Sequence, residues 1–340
     1  MASARKLLFP FSILYGSIMH MRNKFYDRGL LPSKEFDIPV IAVGNISMGG
    51  TGKSPMVEYL VNLLKKENKV ATLSRGYKRK SSGYILLSGQ ETATEVGDEP
   101  LQFKSKFRDV MVAVDESRSN GIEKLLEENF PPDVIVLDDA FQHRKVKAGF
   151  YILLTSYTNL YKNDMVLPAG NLREPAGGAK RADLIVVTKC PADLSASEMG
   201  SIKKKLKPGA GQQVYFSQIV YSEEIFSRNR TVDLKALKKE DFTLVTGIAN
   251  PKPLVDHLER LGLQFTHKAF SDHHNFTEDE IKSLQHEELI LTTEKDYMRL
   301  KNEISREKIF FLPIKTQFLD GSMEFNARVE GFVKKKLRPA

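Results

Sequence analysis

An α/β fold built on a parallel sheet is predicted by three observations. Short β-branched apolar runs alternate with segments of helical periodicity. The first clear run leads through a glycine-rich loop into a helix. A second series of strand and helix signals begins near residue 242, which predicts a second, smaller α/β domain.

The bounds agree. A chain of 340 residues with 41% hydrophobic residues is long and apolar enough for two domains. Cys190 is the single cysteine, so an internal disulfide and a multi-cysteine zinc site are excluded. A net charge of +8 points to an anionic partner. Nucleic acid, a membrane surface and phosphorylated substrates all meet that condition.

At the N-terminus, Arg5 and Lys6 precede an apolar run from Leu7 to Met19, and Arg22, Lys24 and Arg28 follow. The run is shorter than the roughly 20 residues of a spanning helix. No small-residue cleavage site follows it, so a signal peptide is not expected. An interfacial helix with basic flanks is predicted over 1–30, the alternative being a helix packed on the protein's own core.

Residues Ile38–Val43 read as a buried parallel strand, with Pro39 tolerable at its start. Then come Ser47, Met48, Gly49, Gly50, Thr51, Gly52, Lys53 and Ser54. Pro55 and a helical pattern through Leu64 follow. Strand, glycine loop and helix make the P-loop context, with Ser47 in place of the usual first glycine. Glycines let backbone N–H groups wrap phosphate oxygens. Lys53 would reach the β- and γ-phosphates, and the Ser54 hydroxyl would hold Mg²⁺. The fold class becomes a P-loop kinase-like parallel sheet flanked by helices.

Lys69–Leu73 is the next strand, ending in the basic loop Ser74–Arg79 at the ligand-bearing edge of such a sheet. Tyr84–Leu87 reads as a short strand. Asp98 and Glu99 are adjacent carboxylates between Gly97 and Pro100, with Asp98 expected to cap a helix. Val110–Val114 is a strand and 119–129 a helix. Val134–Leu137 runs into Asp138 and Asp139, a Walker B pattern whose carboxylate binds Mg²⁺ directly or through water. Strands follow at 151–154 and 184–189. Between them, Leu167–Pro175 is a polar loop with few core residues, expected to serve function. Thr188-Lys189 hints at guanine reading, but Pro191 replaces the required aspartate.

Gln213–Tyr221 alternates like an exposed connecting strand. The second unit holds a strand at 242–248, a helix at 252–261 and a strand near 264–270. Asp272, His273 and His274 follow, and a strand at 289–293 enters Glu294-Lys295-Asp296. The expected division is 1–30, 31–212, linker strands at 213–235, and 236–340.

Taken together, these motifs resemble the tetraacyldisaccharide 4'-kinase family, the lipid A 4'-kinases of Gram-negative bacteria. The matching stretches are Val43–Pro55, Ser74–Tyr77, Val96–Pro100, Leu137–His143, Leu172–Pro175, Asp272–His274 and Thr293–Asp296. Ala140 stands where the family commonly has glycine. The resemblance implies ATP- and Mg²⁺-dependent phosphorylation of the 4'-hydroxyl of a tetraacyldisaccharide 1-phosphate. It implies a two-domain architecture with the site in the cleft, and a membrane-associated N-terminal helix at the cytoplasmic face of the inner membrane, peripheral or monotopic. Neither nucleic acid nor an obligate protein partner is expected.

On this reading Lys53 and the loop from Ser47 to Gly52 hold the triphosphate. Ser54, Glu99, Asp138 and Asp139 organise Mg²⁺. Asp98 is the general base, and the resemblance implies a histidine partner, His273, with His274 in reserve. Arg118 and Glu174 are expected at the nucleotide, and Arg75, Gln142, His143 and Arg173 at substrate or phosphate. Two rivals remain: a membrane-associated regulatory P-loop NTPase, and a nucleic-acid-binding ATPase suggested by charge alone.

Overall fold

The computed structural model describes residues 5–228 and 230–338. A helix, α1 (Phe9–Asp27), leads into the first series of elements. These are β1 (Val40–Asn45), α2 (Lys53–Leu64), β2 (Val70–Ser74), β3 (Ile85–Leu86), α3 (Ala93–Val96), α4 (Asp98–Lys106) and β4 (Met111–Val114). Next are α5 (Arg118–Leu126), β5 (Val134–Leu137), β6 (Phe150–Ser156), β7 (Leu184–Thr188), α6 (Ala196–Leu206) and β8 (Gln213–Tyr221). The second series holds β9 (Glu224–Phe226), β10 (Thr231–Asp233), β11 (Phe242–Thr246), α7 (Lys252–Arg260), β12 (Phe265–Ala269) and α8 (Glu278–Gln285). It closes with β13 (Ile290–Thr293), α9 (Glu294–Leu300), β14 (Ile309–Leu312), β15 (Ile314–Phe318) and α10 (Ser322–Leu337).

Nine strands form the larger sheet in the order β15-β8-β7-β6-β1-β5-β2-β4-β3. From β8 to β4 every pairing is parallel, and the edge strands β3 and β15 are antiparallel. Every residue of β1 is buried, as a central strand covered on both faces must be. Its loop and the end of β5 therefore open side by side at the carboxyl edge, where ligands bind in such sheets. The smaller sheet runs β10-β9-β14-β13-β11-β12, with the four strands β14 to β12 parallel.

Several boundaries differ from the sequence expectation. Gln213–Tyr221 is no connector: as β8 it pairs in parallel with β7 and antiparallel with β15. Its alternating pattern hid a buried stretch from Val214 to Ser217. The chain also returns from the second sheet, so β15 and α10 lie with the first. Phe332 of α10 stacks on Phe150 at 5.2 Å, and Phe325 meets Tyr59 and Tyr215 edge-on. Sheet membership thus does not follow a cut at 213–235. Helix α5 ends at Leu126 rather than 129, ahead of Phe130-Pro131-Pro132, where proline disfavours helical geometry in the residue before it. Asp98 is the first residue of α4 rather than its cap, and Gly97 takes the cap at φ 93°. A Cβ there would lie 3.1 Å from the Tyr77 carbonyl, so glycine serves both conformation and closeness.

Two buried carboxylates bridged by a half-exposed lysine tie the sheets together behind the cleft. Lys106 of α4 donates to Glu58 of α2 at 2.6 Å and to Glu294 of α9 at 3.0 Å. Burial pushes the Glu58 carboxyl up to about 7 despite the lysine.

Gly44 provides a test of the packing around β1. A Cβ there would sit 2.7 Å from the Phe141 Cβ and 2.9 Å from its backbone nitrogen. Gly44→Ala should lower unfolding free energy by about 1–3 kcal/mol, the usual cost of overpacking. Urea titration reads this, and a wild-type midpoint would contradict the packing described.

Candidate active site

The glycine loop joins β1 to α2, which starts at Lys53 with Gly52 as its cap and no side-chain hydrogen bond at that end. Its first N–H groups thus lack a side-chain partner, as an anion site requires. The loop is pinned from three sides. Asn45 Nδ2 donates to Thr51 Oγ1 at 2.7 Å, and Thr188 Oγ1 donates to the Thr51 carbonyl at 2.8 Å. Lys189 Nζ donates to the Gly50 carbonyl at 2.6 Å. Backbone bonds join Met48 N to Asn171 O and Arg173 N to Ile46 O, each at 2.7 Å.

Four predicted metal residues converge beside this loop. Ser54 Oγ donates to Glu99 Oε1 at 3.0 Å. Asp139 sits at φ 48°, a strained value that turns its carboxylate toward Lys53 at 3.7 Å and Arg173 at 3.1 Å. Burial raises Asp139, but Lys53 and Arg173 outweigh it and hold the carboxyl below the usual range. Asp138 differs: it is buried, and burial together with the charges of Glu99 and Asp139 pushes it up to about 7. Its Oδ1 has no hydrogen-bond partner.

Such a cluster of hard oxygen donors suits Mg²⁺ better than a softer metal. Among the described residues no three His, Cys, Asp or Glu side chains converge enough to hold a metal unaided. Mg²⁺ does not need them, since it takes one or two carboxylates and completes its shell with phosphate and water. The orphaned Asp138 oxygen and the mutual repulsion of three carboxylates are what a divalent cation would relieve.

The second cluster bridges the two sheets. His273 lies on the turn after β12 at φ 57°, its N–H bonded to the Gly247 carbonyl at 3.1 Å. Its Nδ1 is 3.2 Å from Asp98 Oδ2, and its Nε2 is 2.9 Å from Lys295 Nζ. Arg299 Nη2 also lies 3.1 Å from Nδ1. An ammonium can only donate and a carboxylate can only accept, so the arrangement with no donor facing a donor at Nε2 has Nε2 accepting from Lys295 and Nδ1–H directed to Asp98. Arg299 also donates to the same Asp98 oxygen and is held at 3.1 Å by Asp296, which is fully buried. Burial pushes Asp98 up, but the hydrogen bonds from His273 and Arg299 and the nearby charges outweigh it and hold the carboxyl at about 2. Glu99 joins the clusters, since its Oε1 is 3.5 Å from Lys295.

His274 points elsewhere, bonding Glu280 at 2.8 Å and stacking on Phe270. The reserve assignment is thus unsupported by geometry. Three further candidates make supporting contacts in this structure. Arg118 is buried, and its Nη1 and Nη2 donate to the carbonyls of Asp115 and Asp138 across the ends of β4 and β5, while its Nε has no partner. Glu174 is buried, with Oε1 taken by Gln142 and Arg181 and Oε2 by Asn23. Both oxygens being occupied, it buttresses the site rather than contacting nucleotide. Gln142 also donates to the Asn45 carbonyl at 2.7 Å, again a supporting contact rather than a substrate one. His143 is pushed down to about 4 by burial and then by Arg118, so it is neutral at pH 7. Arg75 is exposed at the lip, near Tyr77, whose ring meets His273 edge-on at 5.2 Å.

Sequence reading missed Lys189, Lys295 and Arg299. Lys295 and Arg299 are four residues apart on a short helix leaving a strand's carboxyl end, which is the signal that could have found them.

The assigned tautomer is testable. In Lys295→Met, Nε2 loses its donor, and ¹⁵N-histidine NMR should show an Nε2–H population for His273. An unchanged ring spectrum would contradict the network.

Comparison with known proteins gives one consistent result. The family model described as tetraacyldisaccharide-1-P 4'-kinase matches residues 4–334. A tetraacyldisaccharide 4'-kinase of Flavobacterium johnsoniae is 49% identical over 338 residues, covering 98% of this chain and 99% of the relative. One from Phocaeicola vulgatus is 42% identical, covering 98% and 96%. The crystal structure of LpxK from Aquifex aeolicus in complex with ATP superposes with a TM-score of 0.79 at 32% identity, covering 97% of this chain and 99% of that one.

Proposed function

Since the chain belongs to the tetraacyldisaccharide 4'-kinase family, we propose that Asp98 is the base that takes the proton of the sugar 4'-hydroxyl. The protein is an ATP-dependent kinase that phosphorylates that hydroxyl of a tetraacyldisaccharide 1-phosphate in lipid A biosynthesis. What needs explanation is how this chain's residues do so, and the observation that carries the reading is the Asp98–His273 pair facing the glycine loop across Glu99.

Transfer forms a bond from the 4'-oxygen to the γ-phosphorus and breaks the β,γ-bridging bond, so ADP leaves and the hydroxyl proton passes to Asp98. The transition state is loose, so positioning and charge neutralisation dominate. Lys53 and the N–H groups from Gly49 to Ser54 hold the triphosphate. Arg173, ion-paired to Asp139, is free to shift onto transferring oxygens. Ser54, Glu99, Asp138 and Asp139 are the residues that would hold Mg²⁺, which when bound would supply charge neutralisation for phosphoryl transfer. A carboxylate held at about 2 is a weak base. It suits a late proton transfer, and His273, Lys295 and Arg299 fix its position. Because these three stand on the second sheet, approach of the two sheets completes the site and excludes water.

Helix α1 is the proposed membrane contact. Phe9, Phe11, Ile13, Leu14, Ile18, Met21 and Phe25 are exposed on it. Among the described residues no helix is long and apolar enough to cross a membrane. An interfacial helix on the cytoplasmic leaflet, peripheral or monotopic, fits both facts and the acylated disaccharide phosphate substrate. Arg75, His143 and Tyr77 line the lip where that sugar would enter.

Label from γ-labelled ATP should appear in the lipid in step with ADP formation, and Lys53→Ala and Ser54→Ala should abolish transfer. ADP formation indifferent to lipid would instead favour a regulatory NTPase. Wild-type turnover in a folded Lys53→Ala protein would remove the phosphate role assigned to that lysine.

A further inference from the structure

Helix α1 is inverted relative to an ordinary surface helix. Its buried residues are the polar Ser12 and Asn23, while its large apolar side chains face outward. The inward face is a row of hydrogen bonds. Ser12 Oγ accepts from Ala169 N at 2.8 Å, and Tyr15 OH donates to the Arg173 carbonyl at 3.0 Å. Asn23 Nδ2 donates to Glu174 Oε2 at 2.8 Å, and Arg22 donates to the Gln142 carbonyl at 3.3 Å.

Each acceptor lies one or two contacts from the phosphate site. Arg173 bonds Asp139 through its side chain and Ile46 through its backbone. Glu174 holds Gln142, which in turn donates to Asn45 at the end of β1. Asn171, between these contacts and Ala169, accepts from Met48 N inside the glycine loop. Asn23 moreover keeps a buried Oδ1 without a partner. A contact built for stability alone would bury Leu or Ile here, since an unmade buried bond is costly.

We propose that Tyr15 and Asn23 are positioning residues for phosphoryl transfer, tying α1 through Arg173 and Glu174 to the glycine loop and Asp139. The outer face of α1 takes the bilayer and its inner face sets the phosphate site, so the two events are coupled. This coupling rests on the membrane reading above, whereas the hydrogen-bonded relay does not. Linkage then requires reciprocity: whatever holds α1 in this pose tightens ATP, and ATP tightens α1 on the bilayer.

The experiment uses the full chain with Tyr15→Phe and Asn23→Leu, measuring KM for ATP and for lipid, MgATP affinity by calorimetry, and co-sedimentation with anionic phospholipid vesicles. Tyr15→Phe removes one hydroxyl, so folding is not at issue, and it should weaken MgATP about five-fold, the equivalent of one ordinary hydrogen bond. Asn23→Leu leaves a Glu174 oxygen without its donor, and about ten-fold or more is expected. KM for ATP should rise more than KM for lipid, the reverse of what loss of a membrane anchor does. Vesicles should tighten MgATP for the wild type and do so less for both variants, with co-sedimentation unchanged. Wild-type MgATP affinity in Tyr15→Phe without vesicles would overturn the proposal, whatever Asn23→Leu does. Failure of the wild type to sediment with vesicles would sink the membrane reading alone, because the vesicle-free affinities still decide the relay.

Discussion

One carboxylate, Asp98, is held from across the cleft, and the arrangement of the whole molecule depends on it. It begins α4, on the first sheet's side, yet its imidazole and guanidinium partners come from the second sheet. Keeping it there demands several local sacrifices. Gly97 and His273 both adopt positive φ, and Asp296 is buried to anchor Arg299 and the Gly247 N–H. Strained backbone of this kind survives only where its surroundings over-determine it. Here the Glu58–Lys106–Glu294 cluster fixes α9 against α2 and α4 directly behind the pair.

The phosphate side obeys the opposite electrostatic rule. Asp98 is surrounded by cations, whereas Asp138 is buried beside two other carboxylates and pushed up to about 7. The roles proposed for these two acids follow their environments, one to accept a proton and one to be neutralised by a cation. Glu99 stands between them, touching Ser54 on one side and approaching Lys295 on the other. Any shift of the second sheet is therefore felt at the candidate metal ligands as well as at the proposed base. Helix α1 reaches the same ligands from behind, through Arg173.

Much of this was legible in the sequence because periodicity and glycine punctuation are local. The strands of the first sheet, the glycine loop and the Walker B acids were placed within a few residues. What failed was long-range. Nothing local in Gln213–Tyr221 says that β15 will return from residue 314 to cover it. Arg118 and Glu174 look like ligand contacts in sequence, since a charged residue in a site-bordering loop usually is one. Only packing shows that the Glu174 oxygens go to Gln142, Arg181 and Asn23, and that the Arg118 Nη atoms go to carbonyls. Lys295 and Arg299 were missed for the converse reason, as unremarkable charges on a short helix whose orientation is decided by burial of Asp296 and Tyr297.

Coupling of Asp98 and His273 across the cleft is most directly tested by a double-mutant cycle on kcat, using Asp98→Asn and His273→Ala with MgATP affinity measured separately. Each single change should lower kcat by about 10²–10⁴, the usual share of a positioned acid–base group. Because the two act as a unit, the double variant should be little worse than the worse single one, with MgATP binding nearly unchanged throughout. Losses that multiply would show two independent contributions and contradict a base held jointly by the two sheets.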